Sequence, residues 1–235
     1  MSRSSSEFER LASGGIGRLI FSYSWPALTA MTLNALYAVV DRMFIGHGCG
    51  VDAIAGLQLA MPPMMLLTSF GPLIGVGHAA VLSIKLGEGN RIACEKLLGE
   101  TVALKIFLYA VLIPLLYCFL DPLLLVCGAG NVSPEAFAAA RSYLQIVLCS
   151  HLFSHLAFGL SALQRAEGGA VRSMMCMVVG FGVNLLLDPL LIFAFGMGIE
   201  GAALATVIAR FIEVAVVLVY AFRVQKSMDL KPKDL

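Results

Sequence analysis

Charge is what this chain has least of. Of its 235 residues only 13% are charged, while 59% are hydrophobic and the mean hydropathy is +0.89. A soluble domain carries about 25% charged residues and about 45–50% apolar ones. A water-soluble chain of this length would lack the polar groups to cover its surface, so lipid must be the solvent for most of it. There is no excess of one sign either. The net formal charge of +1 offers no bulk attraction to nucleic acid or to an acidic partner. The sequence has no CxxC and no Cys/His cluster at metal-ligand spacing, so no metal and no cofactor is expected. HExxH and GxGD are missing too, and with them the paired catalytic groups of an intramembrane enzyme. Residues 1–18 are polar, and the apolar stretch after them is too long for a signal h-region and has no small-residue cleavage site. Most of the six cysteines (Cys49, Cys94, Cys118, Cys127, Cys149, Cys176) fall in apolar runs, where cysteine behaves as a small hydrophobe. Cys49 and Cys127 share one membrane surface, where a disulfide is the lesser reading.

What the sequence does contain is apolar runs, at 19–44, 53–84, 101–126, 137–163, 173–195 and 202–222. Each has at least ~20 residues, which at ~1.5 Å per residue spans a ~30 Å hydrocarbon core. The runs are far longer than barrel strands, and open sheet edges cannot sit in lipid, so they are read as helices. The expected fold class is all-α integral membrane, a six-helix bundle over 19–222, with an N-terminal segment 1–18 and a tail 223–235. The second run is too long for one straight crossing, and Pro62, Pro63 and Pro72 predict bends in it. The breaks are short and rich in glycine and polar residues, as turns between helices require.

Lysine and arginine set the orientation. Arg3, Arg10 and Arg18 precede the first run, and Lys85, Arg91, Lys96 and Lys105 flank the second loop. Arg165 and Arg172 lie in the fourth loop, and Arg223, Lys226, Lys231 and Lys233 follow the last run. Thirteen of the sixteen basic residues thus fall on one side, and the first, third and fifth loops have none. The expected placement is multi-pass in the cell (inner) membrane with both termini cytoplasmic. Arg42 and Arg141 sit near the opposite face, and Arg210 is inside the last run. Arg210 is expected to snorkel or to pair with an acid, although Glu213 is too near in sequence to be an obvious partner.

With topology assigned, helix rise converts sequence position into depth. Asp41 in the first run, Tyr143 in the fourth, Asp188 in the fifth and Thr206 in the sixth all fall roughly 8–11 Å below the outer boundary. Asn184 lies one turn deeper than Asp188 on the same helix face. A carboxylate in hydrocarbon costs several kcal/mol unless it is paired, hydrated or protonated, which makes Asp188 a candidate proton or cation carrier. Pro189 lacks an N–H, frees the carbonyl of Leu185 and predicts a kink beside the acid. The plainer readings stand beside these. Asp41 next to Arg42 could be an interfacial anchor, Tyr143 an aromatic-belt residue, and Thr206 a packing residue on the surface formed by Gly201, Ala202, Ala205 and Ala209. His151 and His155 share a helix face without an evident third ligand, so polar packing is their default.

These residues resemble the multidrug and toxic compound extrusion (MATE) family of cation-coupled antiporters, from about Gly17 to Arg223. The first run has Pro26 and then YAVVDRMFIG (37–46), and the second opens after GVDAIAGLQLAMP (50–62). The fourth loop reads LQRAEGG (163–169) and is followed by GFGVNLLLDPLLIFAFGMGIEGAALATVIAR (180–210), whose N-x-x-x-D-P and G-x-x-G-A-A-x-A-T elements are the specific part. The wording is most similar to the bacterial MepA-like branch. The resemblance implies that Asp41, Tyr143, Asn184, Asp188 and Thr206 bind the coupling H+ or Na+. It implies that Pro26 is a hinge and that Asn34 lines the chamber for an amphipathic or cationic drug. It also implies a second six-helix lobe, which this sequence does not contain, so a partner lobe or a homodimer partner is expected. KSMDLKPKDL (226–235) looks like the linker between lobes. Two alternatives stay open: a non-transporting subunit derived from a transporter half, and a lipid-precursor flippase of the same superfamily. A flippase would be expected to show a markedly cationic cavity.

Overall fold

The computed structural model describes residues 16–167 and 169–227. They form long helices α1 (Ile16–Cys49), α2 (Val51–Gly87), α3 (Arg91–Cys118), α5 (Pro134–Ala166), α6 (Ala170–Pro189) and α7 (Gly198–Ser227). A short helix, α4 (Leu120–Val126), follows α3, and a π-helical turn (Leu190–Ala194) extends α6. The expected six-helix membrane bundle is therefore what the chain folds into. Arg3, Arg10, Lys231 and Lys233, and most of the expected terminal segments, lie outside the described residues.

The boundaries follow local chemistry. Gly50, at φ 81°, makes the tight reversal between α1 and α2 in a conformation that side chains with a Cβ disfavour. Asn90 caps α3 by accepting from the backbone N–H of Ala93 at 3.1 Å. Ser133 caps α5 by accepting from Ala136 N–H at 3.1 Å, with Pro134 in the first turn where its missing N–H costs nothing. The Ser133 hydroxyl also donates to Asp52 at 2.6 Å, and Arg141 meets Asp121 at 2.8 Å, which ties helix ends together on the face poor in lysine and arginine.

The most buried helix is α5, which packs against α2, α3, α6 and α7. The main core joins Leu57, Leu67, Tyr109, Leu124, Leu144, Val147 and Leu148. Large apolar side chains also cover the outside, among them Trp25, Met31, Phe107, Leu186 and Phe211. Helices that are apolar all round are those whose solvent is hydrocarbon. All six cysteines are free thiols, and Cys49 and Cys127 pack against the core.

One expectation, on Lys105, needs correction. The second run is a single helix, α2, which continues through Pro62, Pro63 and Pro72. Its backbone near Pro72 gains donors from α3. Tyr109 Oη donates to the Leu67 carbonyl at 3.0 Å and Lys105 Nζ to the Gly71 carbonyl at 3.1 Å. Lys105 therefore does not flank the second loop. It is fully buried, and its Nζ also donates to the His155 carbonyl of α5 at 2.7 Å. Small residues make room here: a Cβ on Gly159 would lie 2.5 Å from Lys105 Cε, and one on Gly71 would lie 1.9 Å from His155 Nδ1, so Gly159 admits the lysine stem and Gly71 the histidine ring. The His155 ring stacks on Tyr109 with centroids 4.8 Å apart, so His155 packs into this corner.

Candidate functional site

The polar layer forms where α1, α5, α6 and α7 meet. On α1, a turn of helix separates Tyr37 from Asp41 and puts both on the face toward α6 and α7. On α6, Asn184 and Asp188 share the inward face for the same reason, and both are almost wholly buried. On α7, the small residues Gly201, Ala202, Ala203 and Ala205 are buried and let the helix approach closely, which brings Thr206 into the layer.

The contacts are specific. With its amide turned to satisfy both neighbours, Asn184 donates through Nδ2 to Asp188 Oδ2 at 2.8 Å, and its oxygen accepts from Thr206 N–H at 3.2 Å. The Thr206 hydroxyl donates back to the Ala202 carbonyl at 3.1 Å, leaving its lone pairs to the layer. The carboxyl groups of Asp41 and Asp188 approach closely enough to share a hydrogen bond. Two ionised carboxylates at that separation repel, and one proton between them turns the repulsion into an O–H···O bond. Asp41 Oδ1 is buried and has no protein partner. An orphaned acceptor facing a second acid is what a small cation or a proton would satisfy.

The structure thus brings together Asp41, Tyr143, Asn184, Asp188 and Thr206, all named from the sequence. Asp41 is not an interfacial anchor, because it is 9% exposed and faces the interior. Tyr143 is 4% exposed on α5, and its phenol approaches Thr206 rather than the membrane surface. Asn34 is not brought to this layer. It lies on an exposed stretch of α1 two turns away. Pro26 is buried within a continuous α1. Pro189 ends α6 as an α-helix. The chain passes into the π turn, with Phe195 N–H bonded to the Leu190 carbonyl and Met197 N–H to that of Leu191, each at 3.0 Å.

Sequence reasoning missed two features. Tyr37, whose phenol also approaches Thr206, sits four residues before Asp41 and could have been found from that spacing. Arg210 and Glu213 do pair, at 2.6 Å, because residues three apart are neighbours on a helix face. Closeness in sequence was no obstacle.

With this geometry in view, the comparisons decide the family. The family model described as MatE matches residues 26–190. The chain belongs to the MatE family. This MatE chain is 29% identical over 213 residues to the multidrug export protein MepA of Staphylococcus aureus (strain NCTC 8325 / PS 47), with 91% of this chain and 46% of the relative covered. It is 27% identical over 219 residues to MepA of Staphylococcus haemolyticus (strain JCSC1435), with 93% and 48% covered. Among solved structures it is similar to the MATE multidrug transporter DinF-BH, with TM-score 0.84, 34% identity, and 92% and 48% of the two chains covered. A MATE structure in complex with MaD3S shares the fold at TM-score 0.83 and 24% identity, covering 96% of this chain and 50% of that one. The chain spans about half the length of the curated relatives it matches.

Proposed function

We propose that this chain is one lobe of a cation-coupled antiporter that exports amphipathic or cationic drug-like compounds. The reading is carried by the buried Asp41–Asp188 pair, with Asn184, Tyr143 and Thr206 around it and an orphaned acid oxygen inside. Uptake of H+ or Na+ neutralises the pair, removes the repulsion between α1 and α6, and changes which packing of α1 is favoured. A drug bound against α1, near Asn34 and the Pro26 turn, is released by that repacking. The names of the relatives, a multidrug export protein and a multidrug transporter, support the substrate class. A second six-helix lobe, from a longer chain or a partner, completes the drug chamber. The lysine and arginine bias supports an orientation with both ends of the bundle on the cytoplasmic side of the cell membrane.

The flippase alternative has less support. Two of the three arginines that could make a cavity cationic are already engaged, Arg141 by Asp121 and Arg210 by Glu213. The test is efflux of a cationic dye from vesicles containing a protein with both lobes. Asp188→Asn should abolish efflux driven by a proton or sodium gradient while membrane insertion stays normal. Unchanged efflux would sink the assignment.

A further inference from the structure

One turn to the cytoplasmic side of the acid layer lies a second layer. Tyr37 precedes Asp41 by four residues on α1, Phe181 precedes Asn184 by three on α6, and Arg210 follows Thr206 by four on the oppositely directed α7. Each is therefore displaced by about 4.5–6 Å in the same direction. The Tyr37 and Phe181 rings stack with centroids 5.3 Å apart and planes 9° from parallel. The Arg210 guanidinium carbon lies 5.8 Å from the Tyr37 ring centre and 5.3 Å from that of Phe181. Beyond it, Glu213 accepts from Arg210 Nη1 at 2.6 Å and is wedged against Gly180, where a Cβ would lie 3.0 Å from that of Glu213. The pair is thus a fixed dipole with its positive end toward the acids and its negative end toward the cytoplasm. The groups around it that titrate or carry charge are Tyr37 and Asp41 on α1, Tyr143, His151 and His155 on α5, and Glu213 on its own helix. From α6 it meets the uncharged Phe181, with Asp188 two turns above.

We propose that Arg210, clamped by Glu213 and the Tyr37–Phe181 stack, is the residue that keeps sodium from occupying the coupling site and so leaves it to protons. The inference rests on the coupling role given above to Asp41 and Asp188. A fixed cation beside a cation site weakens every positive ligand, and arginine is used in pores to exclude cations in this way. Protons and sodium are penalised alike, but only the proton has affinity to spare. It forms a covalent O–H bond and then bridges the two acids, whereas sodium is held only by weak oxygen coordination. The aromatic rings also fill the cytoplasmic floor, so oxygen ligands come from the acid layer alone.

Sodium-22 binding to the full chain in lipid vesicles tests this directly. The wild-type chain and Arg210→Lys, which keeps the charge, should show no saturable sodium binding. The double variant Arg210→Gln/Glu213→Gln, which leaves no buried charge unpaired, should bind sodium at least about tenfold more tightly than wild type. Adding Asp188→Asn to it should remove that binding. Saturable binding by the wild-type chain, or none by a double variant with wild-type helix content, overturns the proposal. Potentiometric titration tests the underlying reading separately. Wild type should take up one more proton than Asp188→Asn, and equal uptake would remove the coupling role itself.

Discussion

Two corners of this bundle bury charge, and they do so in opposite ways. At the α2/α3/α5 corner the Lys105 ammonium meets the carbonyls of Gly71 and His155. At the α1/α6/α7 corner the Asp41 carboxyl meets another acid, and one of its oxygens meets nothing. Both groups are costly in hydrocarbon. The lysine offsets its cost with partners whose charge never changes, which fixes three helices against one another. Under the coupling role proposed above, the acids offset theirs only when a proton or cation arrives, which would leave their arrangement conditional. Burial alone therefore does not mark a functional charge. What marks it is a partner of the same sign or no partner at all.

Substitutions can break this contrast, beginning with the largest effect. Asp188→Asn in the two-lobed protein should reduce gradient-driven dye efflux to the level of empty vesicles, yet leave thermal stability equal or higher because it relieves repulsion with Asp41. Asp41→Asn should do the same, and the two together should lose no more than either alone, since one shared proton site has been removed. If either variant melts well below wild type, the pair is structural. At the other corner the signs reverse. Gly71→Ala pushes a Cβ into the His155 ring and should cost about 3 kcal/mol or more of stability, read as lost monodispersity on heating in detergent. Lys105→Met should lower the melting temperature by a few degrees while the pH dependence of efflux stays put. A displaced pH profile would make the clamp part of the coupling machinery. The smallest effect is at a helix end. Ser133→Ala loses both the cap of α5 and the bond to Asp52, and should cost about 1 kcal/mol with efflux unchanged.

The acid layer was legible in the sequence because helix rise is regular. Once the spans and their directions were assigned, Asp41, Tyr143, Asp188 and Thr206 had to lie at one depth, and i,i+4 spacing added Asn184. Lys105 was misplaced by the same arithmetic. Positive residues near a loop count toward orientation whether or not they reach water, and nothing local says that Gly159 leaves room for the stem. The support given to the prolines of α2 was hidden for a related reason. Tyr109 and Lys105, which serve carbonyls near Pro72, are more than thirty residues away in the chain.

By itself, the sequence determined that the chain lives in lipid, how many helices cross it and which depth holds the polar groups. Those follow from composition, run length and helix rise, which are properties of the chain alone. Only the tertiary structure decided which way each face turns. It put Asp41 against Asp188 rather than at the membrane surface, hid Lys105 among backbone carbonyls, and set Arg210 on two rings beneath the acids. Such pairings depend on how closely helices approach, and that is set by small residues on one helix meeting large ones on another.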